Sequence, residues 1–266
     1  MTVTATPAEV PSGWSVGLST LLRREVKRWL RSRGWIVRAL LWAGIAILMG
    51  LTQAAEAMRE GAPVIVTPAV ASIGTLLVPL AAIIIAASSI VGERDDGVAA
   101  WLLSKPVSRA AYVVAKVVTA ALMFLVVDVA VPALAVFAIA LVVGEQLNVV
   151  NYLVLCAVLW LLVVYWHSLA LMVSAVFGSR DVALATGIGL VLAGNALSGL
   201  ALQLLGEPLG PLAAGLMPWS ISFVLPGIVG SGVGALQEGI LPFAALTGWT
   251  LFNYVVTIRE VGQLEF

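Results

Sequence analysis

Apolar residues run along this chain in blocks of about 20, the length of helix that crosses a hydrocarbon core about 30 Å thick. Six such blocks occur, at about 35–54, 68–91, 111–143, 149–177, 182–205 and 239–258. Within them polar and apolar positions do not alternate between short turns, which excludes the strands of a membrane barrel. The pattern predicts an all-α polytopic membrane protein with six transmembrane helices. Ahead of the first block the period changes. Leu18, Leu21, Leu22, Val26, Trp29 and Leu30 recur at helical spacing, while Arg23, Arg24, Lys27, Arg28 and Arg31 fill the other side. That is a basic amphipathic helix suited to the inner headgroup layer, with a stripe too regular for a charge cluster that only stops a span.

The stretch 206–238 breaks the pattern in another way. It carries no Lys or Arg, yet it holds Pro208, Pro211, Pro218, Pro226 and seven glycines. A continuous span so rich in Pro and Gly would leave backbone groups unpaired in lipid. Two short helices that dip into the outer leaflet and return are expected instead. The chain then divides into a cytoplasmic tail with the interfacial helix (1–34), a six-helix transmembrane domain (35–258) and a short cytoplasmic tail (259–266). The first ten residues lack a basic region followed by an apolar core, so the first span is expected to remain as an anchor.

Composition narrows the class. Of 266 residues 61% are apolar and only 11% charged, against roughly 25% in an average soluble protein. So few charges cannot cover a soluble domain of this size, which excludes a cytosolic enzyme, a secreted disulfide scaffold and a disordered chain. The 14 basic and 14 acidic residues cancel, leaving no positive field for nucleic acid. A single cysteine, Cys156, forbids an internal disulfide, and a single histidine, His167, forbids a multi-histidine metal site. Orientation follows from the basic residues. Seven of them, Arg23 to Arg38, precede or open the first span. Arg94, Lys105, Arg109 and Lys116 lie between the second and third spans, Arg180 in the 178–181 turn and Arg259 in the C-terminal tail, whereas Arg59 alone falls on the opposite side. Both termini are therefore expected in the cytoplasm, in a plasma membrane, with an even number of spans.

Inside the spans few side chains carry chemistry. Asp128 stands near the middle of the third block, four residues before Pro132. A charge there costs about 2.5–3.5 kcal/mol on insertion scales, so it faces protein or water. It either lines a substrate path or proton relay, or holds helices together by hydrogen bonds. His167 and Asn195 fall within about 10 Å of the same depth, counted at 1.5 Å per residue, and complete a candidate polar site with Asp128. Small residues crowd the fifth block (Ala185, Gly187, Gly189, Gly194, Ser198, Gly199) and suit either a contact between two copies or packing within one. The chain has no GxxxxGK[ST] loop, HExxH helix or GxSxG elbow, so neither an ATP site nor a hydrolytic centre is read from it.

The most informative stretch leads from the second block into the third. Ser88-Ser89-Ile90-Val91 ends the apolar run, and Gly92-Glu93-Arg94-Asp95-Asp96-Gly97 is a dense charge cluster. Val98, Trp101, Leu102 and Leu103 then form an apolar stripe on a short helix closed by Lys105-Pro106, after which Ser108 caps the next helix. A short amphipathic helix at the inner surface is a docking element for a partner or for the membrane.

This stretch resembles the permease subunits of type-2 ATP-binding-cassette exporters. In that family the second span is followed by a Glu, a Gly about four residues on, a Leu-Leu-Ser-x-Pro-Val-Ser-Arg-like run and a Lys. Here those positions are Glu93, Gly97, Leu102, Leu103, Ser104, Pro106, Val107, Ser108, Arg109 and Lys116. The basic amphipathic helix, the six spans and the outer Pro/Gly-rich pair agree with the family plan. The short outer loops are similar to those of the nitrous oxide reductase maturation permeases. The resemblance implies a homodimer or a pair of related permeases above two separate ATPase subunits that bind ATP and magnesium, with no cofactor held by this chain. It makes 92–108 the coupling helix, with Glu93, Asp95, Asp96, Gly97, Trp101, Leu102, Pro106 and Arg109 at the ATPase. It implies export of a lipid-like, peptide or drug cargo, or mechanical work passed to an extracytoplasmic partner. Two other readings stand beside it: a membrane scaffold without an ATPase, and an intramembrane enzyme built on Asp128 and His167.

The charge asymmetry makes a direct prediction. Single cysteines at positions 5, 100, 180 and 262 react with an impermeant reagent only from the cytoplasmic side, and those at 60, 147 and 232 only from outside. External labelling at 262 requires an odd number of spans and overturns the topology.

Overall fold

The computed structural model describes residues 13–206, 209–222, 225, 227–228 and 239–263, apart from the side chain of Asn195. Among them every regular element is helical. A short amphipathic helix, α1 (Leu18–Arg31), precedes the long apolar helices α2 (Gly34–Glu60) and α3 (Pro68–Asp95). The loop helix α4 (Val98–Leu103) leads to α5 (Arg109–Val143), α6 (Val149–Phe177) and α7 (Arg180–Leu205). The short α8 (Leu209–Gly215) and a 3₁₀ turn at Pro218–Ser220 follow, and α9 (Ile240–Gln263) closes the described chain. Five of these helices are long and apolar enough to cross a membrane. α7 is the sixth when its two arms, bent by 56° between Gly194 and Ala196, form one span. They occur in the order that the apolar blocks predict. Of the expected outer pair, α8 and the 3₁₀ turn are seen, and most of 223–238 lies outside the described residues.

Local sequence sets the ends of these helices. Asn148 accepts hydrogen bonds from the backbone N–H groups of Val150 (3.0 Å) and Asn151 (3.2 Å) and so starts α6. Gly178, in the left-handed region at φ 60°, ends α6, and the Ser179 hydroxyl accepts from the Val182 N–H to start α7. These two residues turn the chain back on itself in minimal length. At the other end of the bundle, Glu145 accepts from the Val66 N–H (2.9 Å) and from the Thr67 hydroxyl (2.7 Å). The carboxylate thereby caps the start of α3 from the α5–α6 connection, where the helix dipole favours negative charge.

Two spans carry a π-helical turn, Ile73–Leu77 in α3 and Phe124–Ala130 in α5. Each lies just before a proline, Pro79 or Pro132. Proline has no N–H for the carbonyl four residues back and its ring presses on that carbonyl. The widened turn absorbs the mismatch. In α5 the displaced carbonyl belongs to Asp128.

The core centres on α6, which packs against α3, α7 and α9 and is buried along most of its length. α2 is peripheral. It leans on the C-terminal half of α5 and leaves Val37, Leu40, Leu41, Leu48 and Leu51 exposed. The small residues of α7 divide between two faces. A Cβ on Gly187 would stand 2.7 Å from Ile83 Cγ2, and one on Gly194 would stand 3.0 Å from the Trp219 ring, so both admit close packing within the chain. Gly189 and Gly199 meet nothing within 4 Å. Gly187→Val is therefore expected to destabilise the bundle by about 1–3 kcal/mol through overpacking, whereas Gly189→Ala leaves it unchanged. Thermal unfolding of both variants in detergent measures the difference, and equal midpoints would contradict this packing.

Candidate functional site

The loop between α3 and α5 is built around one carboxylate. Glu93 sits on the last turn of α3 and is nearly buried. Its Oε2 accepts from the Tyr112 hydroxyl at 2.8 Å and lies 3.0 Å from Lys116 Nζ, both on α5. Its Oε1 accepts from the Arg28 guanidinium of α1, with Arg24 at 4.0 Å. Arg28 and Arg24 also reach Glu25, the one acid of α1, which is buried beneath its own helix. Burial works against the charge of Arg28, yet its bond to Glu93 and the charges of Glu25 and Glu93 hold its pKa above the ordinary arginine value. Five charged side chains and a phenol thus tie α1, α3 and α5 together. A carboxylate this deep needs its charge matched within the fold, and this chain supplies the match.

The rest of the loop is fastened to the same assembly. Gly97, at φ 69°, reverses the chain after α3 where a side chain would strain the backbone. Ser108 caps α5 by accepting from the Ala111 N–H at 2.9 Å, and its hydroxyl donates to the Trp14 carbonyl. The Ser108 N–H donates to the Val16 carbonyl at 3.0 Å, so the lead into α1 is pinned to the end of the loop. The Arg109 guanidinium donates to the Gly262 carbonyl on the last turn of α9. On α4 the apolar stripe splits: Leu102 is buried, whereas Trp101 is 59% exposed with Lys105 Nζ 3.6 Å above its ring. Asp95, Asp96 and Pro106 are exposed. Along α1, Arg23, Lys27 and Arg31 are also exposed, and with Arg24, Arg28 and Thr20 they line an open groove of about 580 Å³.

The second polar locus lies inside the bundle. Asp128, on the π turn of α5, is 2% exposed. Its Oδ1 accepts from Trp42 Nε1 at 2.6 Å and stands 3.1 Å from Arg38 Nε, both on α2. Asp128 Oδ2 and Arg38 Nη2 have no hydrogen-bond partner among the described residues. Arg38 also approaches the face of Phe124, whose edge meets His167 with ring centroids 5.3 Å apart. His167 is buried, and no hydrogen bond joins it to Asp128 among the described residues. The Asn195 side chain lies outside what the structure describes. Reading the sequence missed Arg38 and Trp42 as partners of Asp128, and Glu25 and Tyr112 as partners within the Glu93 cluster. The available signal was a lone acid in a basic helix and an arginine already inside the first apolar block.

A set of apolar spanning helices whose ionised groups are paired across helices, with a structured loop between two of them, is that of a polytopic membrane protein. A family model described as ABC-2 family transporter protein matches residues 19–258, and the chain belongs to that family. Its members' membrane components transport rather than catalyse, which places this chain among transport permeases. No curated protein matches it in sequence.

The pairing of Arg38 with Asp128 sets a stability test. Removing one partner leaves a buried charge, so Arg38→Met or Asp128→Leu alone costs about 3–5 kcal/mol, and the double variant recovers most of that loss. Asp128→Asn keeps an acceptor for Trp42 and loses less than Asp128→Leu. Unfolding midpoints in detergent report all four, and strictly additive losses would show that the pair is not coupled.

Proposed function

We propose that this permease works as the membrane subunit of an ATP-driven exporter, with 92–108 as the element that receives motion from a cytoplasmic ATPase. One observation carries the reading. Trp101 projects from a loop that Glu93 ties to α1 and α5 and that Ser108 ties to the lead into α1. An exposed aromatic on a braced support is the kind of residue that dominates protein–protein binding, and a push on it is delivered to several helices at once. Asp95 and Asp96 flank it as exposed acids that suit basic groups on the partner. Glu93 acts one step behind, as the joint between loop and spans.

In this reading the ATPase subunits bind ATP and magnesium, and both termini of the permease face them. Two permease copies pair, through surfaces such as the peripheral α2 and the open side of α7 with Ala185, Gly189 and Gly199. The cargo is lipid-like, peptide or drug, in keeping with spanning helices that are largely apolar.

The test uses the permease purified with its candidate ATPase. Trp101→Ala, which disturbs no buried contact, lowers ATPase association by about 2 kcal/mol, roughly 30-fold. Glu93→Gln keeps the ATPase bound but lowers transport-linked hydrolysis, because the joint rather than the contact is weakened. A Trp101→Ala permease that retains its full ATPase complement and full transport removes the loop from this role.

A further inference from the structure

Beneath α1, beside the Glu93 cluster, lies a second cavity of about 190 Å³ enclosed by α1, α3, α5 and α6. One ordered water needs only about 10–15 Å³ of such space, so the cavity holds a larger polar group with ease. Its lining is rich in donors. Trp29 Nε1, the Ser89 hydroxyl and the Thr119 hydroxyl are buried and have no hydrogen-bond partner among the described residues. Lys116, 5% exposed, also lines it. Its ammonium is ion-paired with Glu93 at 3.0 Å, and with three N–H bonds it keeps donors for another acceptor. Two of these four groups, the indole and the ammonium, only donate.

Charge points the same way. Arg24, Arg28 and Lys116 share Glu25 and Glu93, three cations on two carboxylates. The cluster beside the cavity therefore holds one positive charge in excess. His167 forms part of the cavity wall, and the exposed Arg28 and Ser32 stand at its rim, giving a way in from beside α1. Glu25 also lines the cavity, but its two oxygens are taken by Arg24 and Arg28. The groups left over, an indole, an ammonium and two hydroxyls, beside a surplus positive charge, call for an oxyanion with several acceptor oxygens.

We propose that this cavity binds a phosphate group, either the headgroup phosphate of a phospholipid in the inner leaflet or inorganic phosphate, with Thr119, Ser89, Trp29 and Lys116 as its donors. The site goes beyond the ATPase-docking reading and stands without it. It uses no residue of α4, and its test needs no ATPase.

The experiment uses the full chain in detergent with two probes. Dioleoylphosphatidylglycerol retention is read by native mass spectrometry, and inorganic phosphate binding by equilibrium dialysis. The variant is Ser89→Ala/Thr119→Val, which removes two donors while leaving every ion pair intact. Ser88→Ala is the control, since the Ser88 hydroxyl donates to helix carbonyls at Ile84 and Ile85. Wild type and the control bind alike, and the double variant binds at least tenfold more weakly with an unchanged melting temperature. Loss confined to the lipid probe identifies a headgroup site, and a matching loss with inorganic phosphate identifies a free-phosphate site. If the double variant does not fold, Thr119→Val alone is read in its place against the same tenfold criterion. Absence of saturable binding by either probe, or equal binding by variant and wild type, overturns the proposal and leaves the cavity to water.

Discussion

A buried carboxylate has to be matched in charge, and that requirement organises one end of this protein. Ion pairs taken out of water return little net stability, yet breaking one strands a charge at a cost of about 3–5 kcal/mol. Glu93 meets the requirement by drawing on α1 through Arg28 and on α5 through Lys116 and Tyr112. The amphipathic helix is thus held to the bundle by specific ionic bonds as well as by its apolar stripe, through Leu21. The loop helix inherits a fixed position because it begins five residues after Glu93 and the loop beyond it ends at Ser108, which is itself bonded to the residues leading into α1. Register among three helices depends on one side chain.

The two polar loci behave differently. At the end of the bundle beside α1 several charges form a network that is partly open to water. Within the bundle one oxygen of Asp128 accepts from Trp42 and faces the Arg38 guanidinium as an ion pair, while its other oxygen has no partner among the described residues. The π turn beneath Asp128 places the paired oxygen toward α2, and Pro132 explains why the turn widens there. Backbone irregularity and side-chain pairing occur at one point of α5, the usual association of π turns with functional or strained positions.

Much of the architecture was legible in the sequence, because the membrane imposes a long apolar period that no soluble fold requires. The six blocks correspond to α2, α3, α5, α6, α7 and α9, and Ser108 caps α5 as its position before Arg109 indicated. The charge partnerships were not legible. Glu25 reads as one more residue of a solvated basic face until the position of α3 is known. Arg38 reads as a topology signal, since nothing local says that α2 lies against the π turn of α5. Trp101 and Leu102 look like one apolar stripe in sequence, and only the docking of α4 on the bundle separates an inward side chain from an outward one. Pairings across 65 and 86 residues depend on packing, which periodicity does not encode.

The Arg38–Asp128 pair also bears on how the chain is made. Synthesis delivers α2 to the membrane before α5, and its partner carboxylate arrives only two spans later. Until then Arg38 lacks this counter-ion, and an unpaired arginine held within the hydrocarbon is costly. The long side chain of Arg38, one turn from the start of α2, lets the nascent helix wait with its guanidinium among the headgroups. Seating α2 against α5 is then a step that follows insertion, driven by the arrival of Asp128. The order of these two helices along the chain becomes an order of assembly, in which α2 enters the bilayer before the helix that seats it.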